Sequence, residues 1–426
     1  MLDTTTAAAQ IDLDRCVADG ALQPAYQPIV DLATGDVVAF EALARWPTLS
    51  GATPDAVFAA ARSNGRVAEL DWACRQAAVG GAMDYGLGQE HVLFVNVEPA
   101  TLGLPVPSNA EINVAAIQNN LRVMLELTER SLAERPAELL RLVEWARDHG
   151  WGIALDDVGA EPASLALLPF LAPDVVKLDM TLIRQRANPE RAAIMAAVMA
   201  HSEATNAVIL AEGIETQAHL DQALALGATL GQGWLFGRPG PLVKPPSPRS
   251  SIAWARPQQP AAVTPFAAVQ GHEQLRIGRK RLLLDLSHHI ENQGLYLHTP
   301  PAVLSAFQTA GRFTSATAIR YSGLAARCPL VAALGVGLAV NPVAGVHGTT
   351  LAATDPLVGE WTVTVVGSHY AGALIARDLG DSGPDDDRHY QFVVTHDREL
   401  VLTAARSLMS RITTNSWPTD RPAAAR

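Results

Sequence analysis

Two adjacent carboxylates, Asp156 and Asp157, follow a short apolar run at residues 151–155 and stand just before Gly159. The run is long enough for a buried strand, so both acids are expected at its C-terminal end. Neighbouring carboxylates repel each other unless a cation lies between them or one of them stays protonated. The simplest chemistry that this pair predicts is the binding of a divalent metal ion.

The same arrangement, an apolar run that ends in a polar side chain, recurs along the first 240 residues. Polar groups at the C-terminal ends of successive parallel strands converge on one mouth of a strand-helix barrel, where active sites are found. The residues that end these runs are Asn96, Glu126, Lys177, Asp179, Glu212 and Gln232. We therefore expect them to meet in one cavity with the two aspartates.

The candidate ligands are hard oxygen donors: Glu41, Asn96, Glu126, Asp156, Asp157 and Glu212. This set suits Mg²⁺ or Mn²⁺ and does not suit Zn²⁺, which prefers nitrogen and sulfur. Six such groups can hold two cations a short distance apart, an arrangement that clamps a phosphodiester and activates a water molecule. Lys177 would then place an ammonium near the attacked phosphate or the water, and Arg45 would grip a phosphate oxygen.

The elements that must position these groups follow from the spacing of apolar residues. The strand candidates at residues 25–30 and 36–45 are separated by only five residues, which is too few for a parallel crossover, so they should pair antiparallel. Strands then alternate with helical patterns up to the run at Gly231-Gln232. The pattern predicts an α/β fold, a modified TIM-type (βα)8 barrel with an antiparallel first strand pair.

A second domain follows a segment rich in proline, which cannot continue a helix or a central strand. Its pattern is α+β, beginning with a helix around Leu286 and ending with a helix through Leu400. The predicted strands lie at residues 313–321, 360–366 and 390–395. We divide the chain into a barrel at 11–243, a proline-rich linker at 244–268, a second domain at 269–412 and a flexible tail at 413–426.

Composition narrows the class of protein. A length of 426 residues predicts two domains, and a net charge of −11 argues against a DNA or RNA polymer as partner. The three cysteines are widely spaced and odd in number, so they indicate neither a disulfide framework nor a zinc site. The first ten residues do not have the pattern of a signal peptide, and no apolar stretch reaches spanning length. We expect a cytoplasmic protein without membrane contact.

Seven short motifs occur in order along the first domain: Glu41-Ala-Leu43 with Arg45, Asn96, Glu126-Leu-Thr-Glu129, Asp156-Asp157, Lys177-Leu-Asp179, Glu212-Gly-Ile-Glu215 and Gln232-Gly233. Together they resemble the signature of the EAL domain, the phosphodiesterase family that linearises the bacterial second messenger cyclic di-GMP. The resemblance covers about residues 15–243. It implies metal-dependent hydrolysis of cyclic di-GMP to linear pGpG, and a homodimer formed through the barrel.

The resemblance also implies a role for each position. One group would bind Mg²⁺ or Mn²⁺ in a two-metal site: Glu41, Asn96, Glu126, Asp156 as a bridge, and Asp157. A second group would position and deprotonate the water or brace the loop after Asp157: Lys177, Glu212 and Glu129. A third group would bind substrate: Leu43, Arg45, Asp179, Gln232 and Glu215. Glu129 and Glu215 also fit a plainer interpretation, that of acids favoured at a helix start by the helix dipole.

The loop after Asp157 departs from the family pattern. Glu161 stands where the family has a second glycine, and Pro162 stands where it has tyrosine. A residue that disfavours positive φ, followed by a proline with fixed φ, should stiffen this loop. Glu98 likewise stands where serine is usual. An alternative hypothesis is therefore a catalytically degenerate module that binds cyclic di-GMP or a protein partner and acts as a signalling effector.

The second domain has its own resemblance. Phe313-Thr with Arg320-Tyr321, Glu360-Trp361, Val366-Gly-Ser-His-Tyr370 and Val394-Thr-His-Asp-Arg398 resemble the DICT sensory domain, found with cyclic di-GMP enzymes and two-component systems. The resemblance implies that this domain regulates the barrel through a ligand or partner that the sequence does not identify.

Overall fold

A computed structural model of the protein describes residues 11–18, 20–49, 52–102, 114–128, 135–159, 165–166, 168–185, 188–253, 263–382 and 384–412. The chain divides into two compact units, one built around the N-terminal strands and one around the C-terminal strands. Within the described ranges, no helix has both the length and the apolar composition needed to cross a membrane.

In the described part of the first unit, eight strands close into a barrel in sequence order. The strands are β1 Gln23–Asp31, β2 Val37–Arg45, β3 Val92–Asn96, β4 Arg122–Thr128, β5 Gly152–Val158, β6 Val175–Leu178, β7 Val208–Ala211 and β8 Leu230–Gln232. Strands β2 to β8 pair in parallel, whereas β1 pairs antiparallel with both β2 and β8. The prediction of a modified barrel with an antiparallel first pair is confirmed.

One helix precedes β1, and further helices connect the strands from β2 onward: α1 Leu13–Val17, α2 Pro54–Ser63, α3 Val67–Asp84, α4 Val114–Asn120, α5 Pro136–Asp148, α6 Leu168–Leu171, α7 Met180–Arg184, α8 Pro189–Thr205 and α9 Gln217–Ala225. Local sequence explains their ends. Asn188 caps α8 by accepting a hydrogen bond from the backbone of Arg191, and Pro189 follows at the first helical position. Asn206 ends the same helix in the left-handed conformation, at φ 61°.

The segment at residues 244–253 packs against the N-terminal ends of the parallel strands. Ile252 is only 3% exposed and belongs to the apolar core inside the barrel. Arg122, at the start of β4, donates a hydrogen bond to the Ile252 carbonyl at 2.5 Å, and Arg249 forms an ion pair with Asp36 at 2.8 Å. This part of the proline-rich segment therefore closes the barrel at the end opposite the predicted site.

The described residues of the second unit include a seven-stranded sheet with the strand order β12-β11-β10-β13-β14-β15-β9. Its strands are β9 Arg276–Arg279, β10 Ala302–Thr309, β11 Val331–Val336, β12 His347–Thr350, β13 Glu360–Val366, β14 Ala371–Asp378 and β15 His389–Thr395. Its helices are α10 Pro265–Val269, α11 Lys280–Tyr296, α12 Ser315–Ala325 and α13 Arg398–Met409. The α+β class and the strands predicted at 360–366 and 390–395 are confirmed.

The strand predicted at residues 313–321 is wrong, because helix α12 occupies most of this range. Thr314 caps the helix by accepting a hydrogen bond from the backbone nitrogen of Thr317. The buried side chains of α12 include Thr317, Tyr321 and Leu324, which recur at the spacing of one helical face. The alternation of polarity within residues 313–321 predicts a strand, but the buried face of the helix extends beyond that stretch to Leu324.

A polar network lies within the core of the second unit. Glu291 of α11 is 2% exposed and forms an ion pair with Arg320 at 3.0 Å. Tyr321 donates a hydrogen bond to Ser305 at 2.6 Å and lies 3.3 Å from Glu291. Burial raises the pKa of Glu291, and the arginine partly offsets this effect.

Candidate active site

Lys177 lies at the centre of a ring of carboxylates at the C-terminal ends of the barrel strands, which we call the barrel mouth. Its side chain comes from β6 and is fully buried. The ammonium nitrogen lies 2.6 Å from Glu126, 2.9 Å from Glu212, 3.0 Å from Asp156 and 3.8 Å from Glu41. The structure thus brings together five of the predicted site residues, four of which lie in four different strands and one, Glu212, directly after a fifth.

The charges in this ring shift one another's protonation. Burial alone would lower the pKa of Lys177, but the surrounding carboxylates outweigh it and hold that pKa well above its usual value. Burial, reinforced by the charge of Glu41, raises the pKa of Glu126 well above its usual value, although Lys177 opposes the shift. Burial likewise raises the pKa of Glu212 to about 8. One ammonium is too little positive charge for so many buried acids.

The oxygen atoms of this ring fit divalent metal ions. Both carboxylate oxygens of Glu126 are buried, and neither has a partner in hydrogen-bond geometry within the described ranges, since Lys177 lies near one of them but off the hydrogen-bond direction. Burying a carboxylate oxygen that accepts no hydrogen bond costs free energy of folding unless a further positive charge lies beside it. Asp156, Asp157 and Glu212 each offer an oxygen within 4.8 Å of the others. An all-oxygen set of this kind is typical of Mg²⁺ or Mn²⁺ sites.

Amide side chains fix the orientation of Glu41. Gln232 donates to one Glu41 oxygen at 2.5 Å, and Asn96 donates to the other at 3.3 Å. Burial opposes ionisation, but Lys177 and these two amides together lower the pKa of Glu41. Gln27 accepts a hydrogen bond from Gln232 at 3.2 Å. Sequence reasoning missed Gln27, although the antiparallel register places it directly opposite Glu41.

Asp157 has an unusual backbone conformation, with φ at 57°. Its nitrogen donates a hydrogen bond to the Asp156 carboxylate at 2.9 Å. The side chain of Asp157 is exposed whereas Val158 is buried, so the left-handed turn directs the second aspartate out of the barrel wall. Glu129 and residues 160–164, which include the departures at Glu161 and Pro162, lie outside the described residues.

Leu43 and Arg45 follow Glu41 at alternate positions of β2 and line a cleft of about 370 Å³ beside the carboxylate ring. Successive side chains of a strand point to opposite faces, so residues two apart share a face. Arg45 donates a hydrogen bond to the Ala44 carbonyl at 2.8 Å. The guanidinium retains further donors for a ligand in the cleft.

Two predicted substrate residues lie in local structural contacts. Asp179 caps α7 by accepting a hydrogen bond from the backbone nitrogen of Thr181 at 2.8 Å. Glu215 forms an ion pair with Arg184 at 2.8 Å. Neither is among the carboxylates that surround Lys177, and their proposed role in substrate binding depends on the resemblance.

Comparison with known families gives two matches. Residues 10–239 match the model of the family described as EAL domain. Residues 265–379 match the model of the family described as a sensory domain in diguanylate cyclases and two-component systems.

Two curated relatives from Pseudomonas aeruginosa are named cyclic di-GMP phosphodiesterases. RocR is 30% identical over 239 residues, which are 54% of this chain and 60% of RocR. NbdA is 33% identical over 239 residues, which are 54% of this chain and 30% of NbdA. The chain therefore spans less than two thirds of the length of these relatives.

Solved structures also resemble this chain. Klebsiella pneumoniae BlrP1 in a complex with manganese and cyclic di-GMP is 31% identical, covers 52% of this chain and 57% of its own, and has a TM-score of 0.45. The PaMucR phosphodiesterase in a complex with cyclic di-GMP is 28% identical, covers 52% of this chain and 97% of its own, and has a TM-score of 0.46.

Proposed function

Because the chain belongs to the EAL domain family over residues 10–239, we propose that its barrel hydrolyses cyclic di-GMP to linear pGpG with divalent metal ions. The observation that carries this proposal is the ring of four carboxylates around the buried ammonium of Lys177. An excess of buried negative charge at the mouth of a barrel is what a phosphodiester-cleaving metal site requires.

The proposed ligands of two Mg²⁺ or Mn²⁺ ions are Glu41, Asn96, Glu126, Asp156 and Asp157. Bound ions would offset the negative charge of the phosphodiester and lower the pKa of a water molecule. Two observations support this assignment: Glu126 is buried with only the Lys177 ammonium, at 2.6 Å, beside one of its oxygens, and Asp156, Asp157 and Glu212 offer oxygens within 4.8 Å of one another.

Glu212 is the proposed acceptor of the proton from the attacking water. Burial raises its pKa to about 8, which makes its carboxylate a stronger base than an ordinary glutamate. The ammonium of Lys177, at 2.9 Å, holds one Glu212 oxygen in place and leaves the other for water. Lys177 would also stabilise negative charge that develops on the phosphate. Glu129 keeps the proposed role of bracing the loop after Asp157.

The cleft beside Glu41 is the proposed substrate site. Arg45 would grip a phosphate oxygen with a donor pair, and Leu43 would provide an apolar wall for a base. Gln232 supports the site by orienting Glu41 at 2.5 Å. Asp179 and Glu215 retain the proposed role of holding substrate or water from the rim of the mouth.

We also propose that the C-terminal domain, at 269–412 after the proline-rich segment 244–268, regulates this reaction, and that the chain forms a homodimer through the barrel. The match of residues 265–379 to a sensory-domain family supports the regulatory role. Since residues 244–253 pack against the barrel, the part that joins the two domains would lie beyond Ala253.

The alternative is an effector that binds cyclic di-GMP without hydrolysing it. The departures at Glu161 and Pro162 favour this alternative, because a stiffened loop would restrict Asp157. Restoring the family pattern with Glu161→Gly and Pro162→Tyr should raise turnover if the loop limits it.

The test is incubation of the purified chain with cyclic di-GMP and Mn²⁺, followed by chromatographic detection of linear pGpG. Product that disappears with a chelator supports hydrolysis. Tight nucleotide binding without product would reject hydrolysis and support the effector. A chain that neither binds nor cleaves the nucleotide would contradict both functions.

A further inference from the structure

Glu98 lies in the cleft next to the metal-site residues and has no role in the chemistry above. The residues that line the cleft include Asn96, Glu98 and Arg62. The side chain of Glu98 is only 17% exposed, and its carboxylate forms an ion pair with Arg62 at 3.1 Å. A carboxylate in the wall of a cleft that would receive a dinucleotide with two negative charges repels that ligand unless it has a specific partner.

The backbone directs Glu98 to the same side as Asn96. Glu98 follows β3 with an extended conformation, φ −71° and ψ 122°, and Val97 between the two residues is 3% exposed. Alternation along an extended chain therefore turns Asn96 and Glu98 to one face and Val97 to the other. Glu98 is therefore the next side chain on the face that carries Asn96, and a ligand bound at Asn96 lies beside it.

A buried aspartate fixes the position of Glu98. Asp71 of α3 is 2% exposed and accepts a hydrogen bond from the Glu98 backbone nitrogen at 3.1 Å. Asp71 is held in turn by an ion pair with Arg75 and by a hydrogen bond from Thr101 at 2.9 Å. Because this network anchors the main chain, the Glu98 carboxylate is presented to the cleft from a fixed point.

The ion pair between Arg62 and Glu98 reduces the repulsion between the Glu98 carboxylate and an anionic ligand. The guanidinium offsets the charge that would otherwise repel an anionic ligand. The side chain of Arg62 is 52% exposed, and ion pairs with one such partner contribute little to folding. Replacing Glu98 should therefore leave the fold intact, so that any effect on binding reports on the ligand.

Guanine offers the matching chemistry. Its Watson–Crick edge carries two adjacent donors, the N1–H and the N2 amino group, and a carboxylate has two acceptor oxygens with the same spacing. Adenine presents one acceptor and one donor at that edge, so one carboxylate oxygen would face a lone pair. The other edge of guanine, with O6 and N7 as acceptors, suits an arginine such as Arg62.

We propose that Glu98, oriented by Asp71 and charge-balanced by Arg62, recognises the N1–H and N2 amino group of one guanine of cyclic di-GMP. This inference depends on the proposed function, because it takes cyclic di-GMP to be the ligand of the cleft. It makes Glu98 a specificity-determining residue and Asp71 a positioning residue.

The experiment measures the dissociation constants of cyclic di-GMP and cyclic di-IMP by calorimetry, with Ca²⁺ in place of Mn²⁺. Inosine lacks the N2 amino group and keeps the N1–H, so the two ligands differ by one hydrogen bond per base. A charge-assisted hydrogen bond of this kind corresponds to about 10- to 100-fold in affinity. The full-length wild-type protein should therefore prefer cyclic di-GMP by at least about tenfold.

The Glu98→Ala and Glu98→Gln variants should each lower this preference by about tenfold or more, because neither side chain accepts from both donors. Asp71→Asn should lower it less, since the Glu98 carboxylate stays present but is less well fixed. Glu69→Ala is the matched control: Glu69 pairs with Arg66 at 2.7 Å and is not in the cleft. The Glu69→Ala variant should prefer cyclic di-GMP over cyclic di-IMP as strongly as the wild type does.

The outcomes separate this inference from the proposed function. If the wild type binds cyclic di-GMP and both Glu98 variants keep its preference over cyclic di-IMP, the recognition by Glu98 is overturned and the proposed function stands. If the wild type binds neither nucleotide, the proposed function is overturned and this inference with it.

Discussion

Replacing Lys177 by methionine in the metal-free protein should destabilise the barrel strongly, and metal should reverse much of the loss. The substitution keeps the length and apolar stem of the side chain and removes only the ammonium. That ammonium lies within 3.0 Å of three carboxylates and 3.8 Å from a fourth. Removing one partner of a buried ion pair costs about 3–5 kcal/mol, because the charges left behind stay buried without compensation. This is a large part of the 5–15 kcal/mol that typically stabilises a folded domain.

The loss should depend on pH in a defined direction. Burial opposes ionisation of Glu41, but Lys177 and two amides hold the pKa of Glu41 below its usual value, so removal of Lys177 should raise that pKa. Glutamates in the unfolded chain titrate near pH 4.3. Above that pH the folded variant therefore keeps a proton on Glu41 that both the folded wild type and the unfolded chain have released, so the variant loses stability relative to the wild type as pH rises. The cost of the substitution should be smaller at pH 5 than at pH 8.

The assay is urea denaturation with hydrogen–deuterium exchange as its readout. Only peptides that contain residues 152–158 and 175–178 are analysed, so the measurement reports on the barrel alone. Mn²⁺ at 100 times its dissociation constant stabilises a folded protein by about 2.7 kcal/mol. At equal Mn²⁺ the variant should gain more than the wild type, since no ammonium competes for the carboxylates. Lys244→Met, at an exposed position, is the control and should change neither quantity. A metal-free variant as stable as the wild type at pH 8 would refute the reasoning.

Three further outcomes are expected. Glu41→Ala should abolish hydrolysis of cyclic di-GMP and reduce stabilisation by Mn²⁺ while circular dichroism stays unchanged; surviving turnover would show that the ligand assignment is wrong. Ile252→Ala should cost about 2–5 kcal/mol in urea denaturation of the barrel, because the Ile252 side chain is buried in the barrel core. Leu224→Ala, at a position of α9 that is 48% exposed, is the control and should have little effect. Equal effects would contradict the packing. Arg320→Met should destabilise the C-terminal unit by about 3 kcal/mol near pH 8, because it leaves Glu291 buried without its arginine, and by less at pH 5, where Glu291, whose pKa burial raises, takes up a proton; a loss that does not depend on pH would contradict this account.

The ring around Lys177 could be predicted because strand periodicity carries the necessary information. An apolar run that ends in an acid identifies both a buried strand and the end of that strand that faces the mouth, so the sequence predicts that Glu126, Asp156 and Glu212 share one cavity. The antiparallel first pair followed from the short connection between β1 and β2 in the same way.

The failed and missed assignments share a different cause. Residues 313–321 alternate in polarity, but the deciding face of α12 includes Leu324, beyond that stretch. Gln27 bonds to Gln232, 205 positions later in the chain. The proline content of residues 244–253 indicates a linker, yet Ile252 fills the barrel core.

The sequence by itself determined which strands form and which side chains stand at their ends, because both are set by neighbours a few residues apart. Only the tertiary structure decided which distant groups touch: that Asp71 anchors Glu98, that Gln27 supports Gln232, and that one lysine is shared by four acids. Closure of a barrel brings together residues that are separated by long stretches of chain, and no local pattern records the distances across its mouth. The free energy of those contacts depends on burial and separation, which exist only once the chain is folded.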